Sequence, residues 1–396
     1  MEQFYKIDSL LTEEERIFKE SVRKWVRGEV YPRVQDIWTH GTYNEEEHKW
    51  LRSEIAKMGL FELYEHSHVL YGIACQEVEY VDSGIRSLVS VQNSLIAGLI
   101  EAYTDRPDQL KFAAGIKDGT LTGCFALTEP NHGSNPAGLK TTATPSPAVS
   151  GVVAEDGTSY ELVNHLYYLN GSKMFITNGM FADFMIVWAT NVETYKLQAF
   201  LVEEINDNVT RREIPNKMSL RYSDTAEIYF TEVPAYPLDG AIELKSALKC
   251  LTKARYGIAW GATGAALACF ERALSYAGDR IQFHEKPITS HQLIQNEFVD
   301  MLEKIVSMQL MTIQLGRLLD EDKAHYSQVA LAKRHNVKAA LDIARRCRDI
   351  LGAYGICTEY DIIRHMLNLE SVITYEGSHN IQTLIVGREI TGIGAF

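Results

Sequence analysis

The stretch Phe184-Met-Ile-Val-Trp-Ala-Thr-Asn-Val-Glu-Thr-Tyr-Lys-Leu-Gln-Ala-Phe-Leu-Val202 decides the fold. Phe184–Trp188 and Ala199–Val202 are short apolar runs of β-branched and aromatic type, and they read as strands. Ala226-Glu-Ile-Tyr-Phe230 reads the same way. From Thr120 to about 236 the chain is rich in Thr, Val, Phe and Tyr, with turn residues at short intervals. Pro145–Thr158, with Pro147, Gly151 and Gly157, reads as a loop or hairpin tip. No helical segment in this region is long enough for a crossover, so the sheet is expected to be antiparallel.

On both sides the pattern is helical. Thr12 followed by Glu15 is a capping box, and Ile17, Val22, Trp25 and Val26 then recur at helical spacing. Pro32 follows or kinks that helix. Further helices are predicted over 45–58, 71–82, 85–103 and 107–117, with Gly59 as a stop after the first of these. After the strands, helices are predicted over 244–280, 290–318, 324–353, 359–370 and 379–391. Long helices joined by short loops make an antiparallel bundle. The expected fold is α+β: an N-terminal helical domain (1–119), a middle antiparallel β-domain (120–240) and a C-terminal helix bundle (241–396).

Composition removes several classes of function. The 396 residues are 46% hydrophobic and 23% charged, an ordinary globular mixture, and the formal net charge is −13. That charge argues against non-specific nucleic-acid binding and against docking on an anionic membrane. Cys75, Cys124, Cys250, Cys269, Cys347 and Cys357 form no CxxC pair, so a reducing cytoplasm is the simplest setting. The acidic start MEQFYKIDSLLTEEER is unlike a signal or transit peptide. The longest uncharged apolar run, Gly257–Phe270, interrupted only by small residues, is too short to span a bilayer. His66 and His68 lie close together with no Cys/His cluster around them, so no metal is expected.

Four stretches could carry chemistry. In Phe125-Ala-Leu-Thr-Glu-Pro-Asn-His-Gly-Ser134 a strand ends at Thr128, and a turn with Pro130 and Gly133 could form an anion nest. Most such turns bind nothing. Gly171-Ser-Lys-Met-Phe-Ile-Thr-Asn-Gly179 sets Phe175 two residues before Thr177; it could cover a planar cofactor, or be a plain strand ending in an Asn-Gly turn. In Thr374-Tyr-Glu-Gly-Ser-His-Asn380, Glu376 sits between apolar helical segments. A carboxylate held there has a raised pKa and can act on a carbon acid. It could equally be an N-terminal helix residue with Ser378 as cap. Glu79, Asp82, Arg86 and Ser90 are spaced to share one helix face. That face is either a solvated stripe with an Asp82–Arg86 pair or a buried surface that receives an anionic substrate.

Taken together, these stretches resemble the acyl-CoA dehydrogenase family over about residues 10–396, and within it the glutaryl-CoA dehydrogenase branch most. The likeness rests on VDSGIRSLVSVQNSL (81–95), GCFALTEPNHGSNPAG (123–138), NGSKMFITNG (170–179), ARYGIAWG (254–261), DRIQF (279–283) and NLESVITYEGSHNIQTLIVGREITGIGAF (368–396). It implies FAD held across the subunit interfaces of a homotetramer, and electron-transfer flavoprotein as acceptor. Phe125, Leu127 and Thr128 would face the flavin ring, and Gly133 and Ser134 would lie near its diphosphate and the substrate. Phe175, Ile176 and Thr177 would cover the ring. Arg280, Phe283 and Gln292 would reach the adenine half from a neighbouring subunit. Gly352 and Gly355 belong to a turn packed on the same cofactor, and Ser378 and Asn380 would bind FAD.

The resemblance also makes Glu376 the base that removes the thioester α-proton while the β-hydride goes to the flavin. Its backbone N–H, with a flavin ribityl hydroxyl, would hold the thioester oxygen. Arg86 and Ser90 match positions that hold the distal carboxylate of glutaryl-CoA; Glu79, Tyr375 and Gly377 match the acyl site and Arg255 the thioester-carrier arm. Crotonyl-CoA and CO2 would be the products.

The sequence departs from the family pattern in places. The stretch between Gly59 and Asp82 is shortened, Phe175 stands for Trp, Asn135 for Asp, His284 for Gly, Ala353-Tyr354 for Gly-Asn and Asp349 for Gln. The shortened stretch leaves open another acyl group, or one borne on a carrier protein in a biosynthetic pathway. An oxidase passing electrons to oxygen is a further alternative.

Overall fold

A computed structural model describes residues 4–104, 106–147, 152–153, 159–160 and 166–395. The expected loop at 145–158 falls mostly outside the described residues.

The helices before the sheet are α1 (Glu13–Trp25), α2 (Tyr31–His40), α3 (Glu45–Lys57), α4 (Leu63–His66), α5 (His68–Glu79), α6 (Ser83–Ser90), α7 (Gly98–Tyr103) and α8 (Pro107–Lys117). The strands of the seven-stranded sheet are β1 (Gly123–Ala126), β2 (Thr142–Pro145), β3 (Tyr167–Thr177), β4 (Phe184–Asn191), β5 (Leu197–Val202), β6 (Val209–Glu213) and β7 (Thr225–Ile242). After them come α9 (Leu244–Asp279), α10 (Gln292–Asp320), α11 (Tyr326–Ile350), α12 (Ile362–Val372) and α13 (His379–Thr391). The Thr12–Glu15 capping box is formed in both directions. Pro32 opens α2 after a π-turn at Val26–Val30, where its missing N–H is not needed. The chain folds into two compact units: 1–94 with 216–223 and 251–396, and 95–215 with 224–250.

In the second unit the strand order is β1-β4-β2-β3-β7-β5, with β6 on β7, and a further β4–β5 pairing closes the strands on themselves. Most pairs are antiparallel, as expected, but β1 and β2 both run parallel to β4. A parallel pair needs a long return path, and intervening strands supply it here in place of a helix. Nearly every residue of β4 is buried, which explains its unbroken apolar sequence. Cys124, Leu169, Met185, Val187, Phe200 and Ile228 form the core of this unit.

In the first unit α11 packs on α10, α12 and α13, and α5 packs on α1 and α10. Its core is rich in small residues, among them Ala262, Ala265 and Ala266 of α9. A Cβ on Gly264 would lie 1.9 Å from the Gln76 carbonyl oxygen, and one on Gly261 would lie 2.0 Å from Glu79 Oε2. These two glycines let α9 lie directly against α5, and they put the Glu79 carboxylate under α9.

Candidate active site

The helix α12 ends at Val372, and α13 starts at His379 with Ser378 as its N-cap. Glu376 therefore lies outside the helix, two residues before the cap, and does not sit in the favourable end of a helix dipole. It adopts φ +54°, and Gly377 follows at +85°. Two successive left-handed residues turn their carbonyls toward a set of buried donors. Lys333 Nζ on α11 donates to the Tyr375 carbonyl and, at 2.7 Å, to the Gly377 carbonyl. Arg255 Nε on α9 donates to the Glu376 carbonyl at 2.7 Å. Gln382 Nε2 on α13 donates to the Glu376 and Gly377 carbonyls at 3.2 and 2.9 Å.

The Glu376 Oε2 atom is sealed from solvent, and no described residue hydrogen-bonds to it. Burial raises the Glu376 pKa, and the charges of Arg255, Lys333 and Arg86 oppose that rise. Burial likewise pushes the Lys333 ammonium down to about 7, with Glu376 pulling it back up. A carboxylate with a raised pKa and a free buried oxygen, close to three cations, is equipped to take a proton from a weak carbon acid.

The Glu79–Ser90 face is buried throughout, not a solvated stripe. Arg86 Nε donates to Glu79 Oε2 at 2.7 Å, and a second guanidinium N–H donates to the Tyr375 hydroxyl. Ser83 Oγ donates to Glu79 Oε1 at 2.9 Å. The anticipated Asp82–Arg86 pair does not form. Asp82 instead caps α6 through the Gly84 N–H at 2.7 Å and accepts from Asn368 Nδ2 at 2.9 Å. Helical spacing pointed to Asp82 on one continuous helix face, but the chain turns between α5, which ends at Glu79, and α6, which Asp82 caps; packing under α9 then gives Arg86 to Glu79. Burial raises the Glu79 pKa, while Arg86 opposes it. Ser90 is buried on the same helix, and Arg86 ties this face to the Glu376 turn through Tyr375.

The second unit brings its two singled-out stretches together. Met174 N donates to the Thr128 carbonyl at 2.9 Å, so Thr128, after β1, lies beside β3. The β3–β7 register shifts between Lys173 and Ile176, a bulge that re-aims Phe175. Phe175 has φ +57° and is 61% exposed, while Leu127 and Ile176 are buried and Phe125, Thr128 and Thr177 half-buried. Beneath them Lys173 Nζ donates to Glu129 Oε1 at 2.9 Å and to the Leu127 carbonyl at 3.0 Å. Glu129 also accepts from the Lys140 and Thr141 N–H groups at 2.6 and 2.9 Å. The turn bearing Gly133 and Ser134 is exposed, and nothing lies near the Gly133 Cβ position. An exposed aromatic, a strand end and an open polar turn on one patch fit a planar ring with a phosphate tail.

The remaining residues lie elsewhere on the first unit. Arg280 lines an open pocket with Arg272, Tyr276, Asp279, Tyr354 and Tyr360. Phe283 is 74% exposed at the tip of a small hairpin (281–287), and Gln292 is exposed at the start of α10. Gly352 has φ +58°, and a Cβ on Gly355 would lie 2.0 Å from the Arg348 carbonyl. Asn380 is exposed in the first turn of α13. No hydrogen bond or ion pair among the described residues joins Arg280, Phe283 or Gln292 to the Glu376 turn.

Sequence reasoning missed Lys333, Gln382 and the Glu129–Lys173 pair. For Lys333 a signal existed: it falls on the buried face of α11 with Val329, Ala330, Val337 and Ala340, where a lysine breaks the apolar pattern. Among the described residues no helix is long and apolar enough to cross a membrane, and no three His, Cys, Asp or Glu side chains are grouped to hold a metal ion.

Models of the acyl-CoA dehydrogenase N-terminal, middle and C-terminal domains match residues 12–119, 124–233 and 244–391. The chain belongs to the acyl-CoA dehydrogenase family, whose members are flavin-dependent oxidoreductases. It is 32% identical to the short-chain specific acyl-CoA dehydrogenase of Megasphaera elsdenii, covering 80% of each chain. The crystal structure of glutaryl-CoA dehydrogenase from Mycobacterium smegmatis is 39% identical, with a TM-score of 0.91 over 100% of this chain and 99% of that one. A glutaryl-CoA dehydrogenase from the same organism in complex with FADH2 is 36% identical, with a TM-score of 0.89 over 98% and 97%. These relatives divide on the acyl group.

Proposed function

We propose that this protein is an FAD-dependent acyl-CoA dehydrogenase that forms a 2-enoyl thioester, and that its substrate is glutaryl-CoA, which it also decarboxylates to crotonyl-CoA. The observation that carries the reading is the Glu376 carboxyl: half-buried, with Oε2 sealed from solvent and unpartnered among the described residues, on a turn gripped by Arg255, Lys333 and Gln382. Bound flavin supplies the acceptor for the β-hydride. Phe125, Leu127, Thr128, Phe175, Ile176 and Thr177 are the residues suited to its ring, and Gly133 and Ser134 to its diphosphate. Arg280, Phe283, Gln292, Gly352, Gly355, Ser378 and Asn380 are assigned to the rest of FAD. On this reading the three-part division at 119 and 240 corresponds to three domains of a cytoplasmic homotetramer that passes electrons to an electron-transfer flavoprotein.

In this mechanism Glu376 takes the α-proton of the thioester. Its raised pKa makes it a stronger base than a solvated carboxylate. Its peptide N–H stabilises negative charge on the thioester oxygen. Arg86, Ser90, Glu79 and Tyr375 form the distal end of the acyl site, and Arg255 and Gly377 lie toward the thioester. After CO2 leaves, the protonated Glu376 returns its proton to carbon.

A second reading has a short, uncharged acyl group as substrate. It is favoured by the Glu79–Arg86 pair, in which the guanidinium is already matched by a buried carboxylate, and by the short-chain relative. A proton on Glu79, whose pKa is raised, would free the Arg86 charge for a second carboxylate.

Anaerobic flavin bleaching with glutaryl-CoA and butyryl-CoA, together with CO2 release, separates the two. Faster bleaching by glutaryl-CoA with release of CO2 supports the first reading. Bleaching by butyryl-CoA alone overturns it in favour of the second.

A further inference from the structure

The Glu376 turn has an unusual support. Its three consecutive carbonyls, those of Tyr375, Glu376 and Gly377, all end on buried side-chain donors, and none of these donors lies on the turn itself. Lys333 grips two of the three and is the donor to the Tyr375 carbonyl. That carbonyl shares a planar trans peptide with the Glu376 N–H, since no described peptide is cis. In such a unit the C=O and N–H point in opposite directions. Lys333 therefore fixes the direction of the Glu376 N–H by holding the oxygen on its far side. Lys333 and Gln382 are both buried, so neither grip is diluted by water.

We propose that Lys333 is a positioning residue for proton abstraction: it locks the left-handed turn so that the Glu376 N–H and carboxyl address the thioester together. This proposal rests on the reading of Glu376 as the base. A non-glycine residue in the left-handed region is disfavoured by its Cβ, so the turn needs outside support to persist. An apolar residue at 333 would leave the Tyr375 and Gly377 carbonyls without this donor. A lysine in a buried helix face carries a desolvation cost that its two carbonyl contacts must offset.

The Lys333 charge also acts on the base. Groups facing the turn are Arg255 from α9, Arg86 from α6, Lys333 from α11 and the Tyr375 hydroxyl. Arg86 is matched by Glu79 of α5, and Lys333 acts as well on His379 of α13. Arg255 sits on the Glu376 carbonyl, so removing Lys333 takes away one of the two cations that grip the turn. The Glu376 carboxyl would then protonate at higher pH.

The test compares the flavin-loaded wild type with Lys333→Met and Lys333→Arg. Three quantities are measured: the anaerobic bleaching rate at saturating acyl-CoA across pH, the Kd of a non-oxidisable thioester analogue, and the pH at which the infrared band of the protonated Glu376 carboxyl appears, assigned by its loss in Glu376→Gln. For Lys333→Met the expected result is a bleaching rate lower by about 10–100-fold. The analogue Kd is expected to change by less than about threefold, well short of the rate loss. The acid limb and the infrared transition both move to higher pH, and Lys333→Arg recovers most of the rate and the wild-type pH profile.

Lys333→Met that binds flavin and bleaches at the wild-type rate with an unmoved infrared transition overturns the proposal. So does a loss of rate matched by an equal loss of analogue binding, or no recovery in a folded Lys333→Arg. Should Lys333→Met fail to fold, Lys333→Gln, which keeps one donor without the charge, takes the same measurements. A wild type that no acyl thioester bleaches refutes the base assignment instead, which keeps the two failures apart.

Discussion

Replacing Arg86 with alanine should separate what the guanidinium does for the fold from what it does for the substrate. Arg86 is 2% exposed and its partner Glu79 is 0% exposed, 2.7 Å away. Removing the guanidinium leaves Glu79 with Ser83 and, among the described residues, no cation within ion-pair distance. Breaking a buried pair from one side costs about 3–5 kcal/mol, because the remaining charge is stranded. The double variant Glu79→Gln/Arg86→Met removes both charges and keeps comparable volume, so its stability should return to within about 1 kcal/mol of wild type. Substrate choice should not return. Truncating one partner of a buried carboxylate–guanidinium pair between protein and ligand costs about 2–5 kcal/mol, roughly a 30- to 5,000-fold fall in the glutaryl-CoA to butyryl-CoA ratio of kcat/KM. Urea unfolding gives the first quantity, and dye-coupled steady-state kinetics the second. The carboxylate-anchor assignment is wrong if the folded double variant keeps the wild-type substrate ratio.

Three other outcomes follow from the structure. Glu376→Gln should bind flavin and an acyl-CoA normally yet lose bleaching by at least about 100-fold, the scale of a missing general base, checked by stopped-flow absorbance. His48 and His365 are buried and held neutral, their pKa values pushed down to about 3 by burial, with cations nearby adding to the effect. Between pH 6.5 and about 3 the unfolded chain thus binds a proton at each that the folded chain does not. Stability is retained above pH 6.5 and falls below it by about 1.4 kcal/mol per pH unit for each histidine, and His48→Gln should shrink that slope in denaturant titrations. Gly264→Ala puts a Cβ 1.9 Å from the Gln76 carbonyl oxygen, a backbone atom that cannot swing away. Overpacking of this kind costs about 1–3 kcal/mol or more, visible as a lower urea midpoint at unchanged slope.

Much of the architecture was legible because helix and strand periods are local. The helix expected at 244–280 is Leu244–Asp279, and the one at 379–391 is His379–Thr391. The capping box at Thr12, the stop at Gly59 and the Ser378 cap each depend on residues a few positions apart, and each is formed. Strand direction was not legible. Alternation of side chains is the same in parallel and antiparallel strands, so the parallel β1–β4 and β2–β4 pairs left no trace in the pattern.

At the candidate site the division is sharper. Local sequence determined which residue types stand where: Glu376 between apolar segments, and Glu79, Asp82, Arg86 and Ser90 close together in the chain; the single helix face expected for these four is broken by the turn between α5 and α6. Tertiary packing decided what they do to each other. It chose Glu79 over Asp82 as the partner of Arg86, because α9 closes over one and α12 engages the other. It took Glu376 out of the helix and gave its turn to Lys333, Arg255 and Gln382, which come from three separate helices. The pKa of a carboxyl depends on which charges lie within several ångströms and how much water they exclude. Those neighbours are set by how helices far apart in the chain come together, and the residues adjacent in sequence do not reveal them.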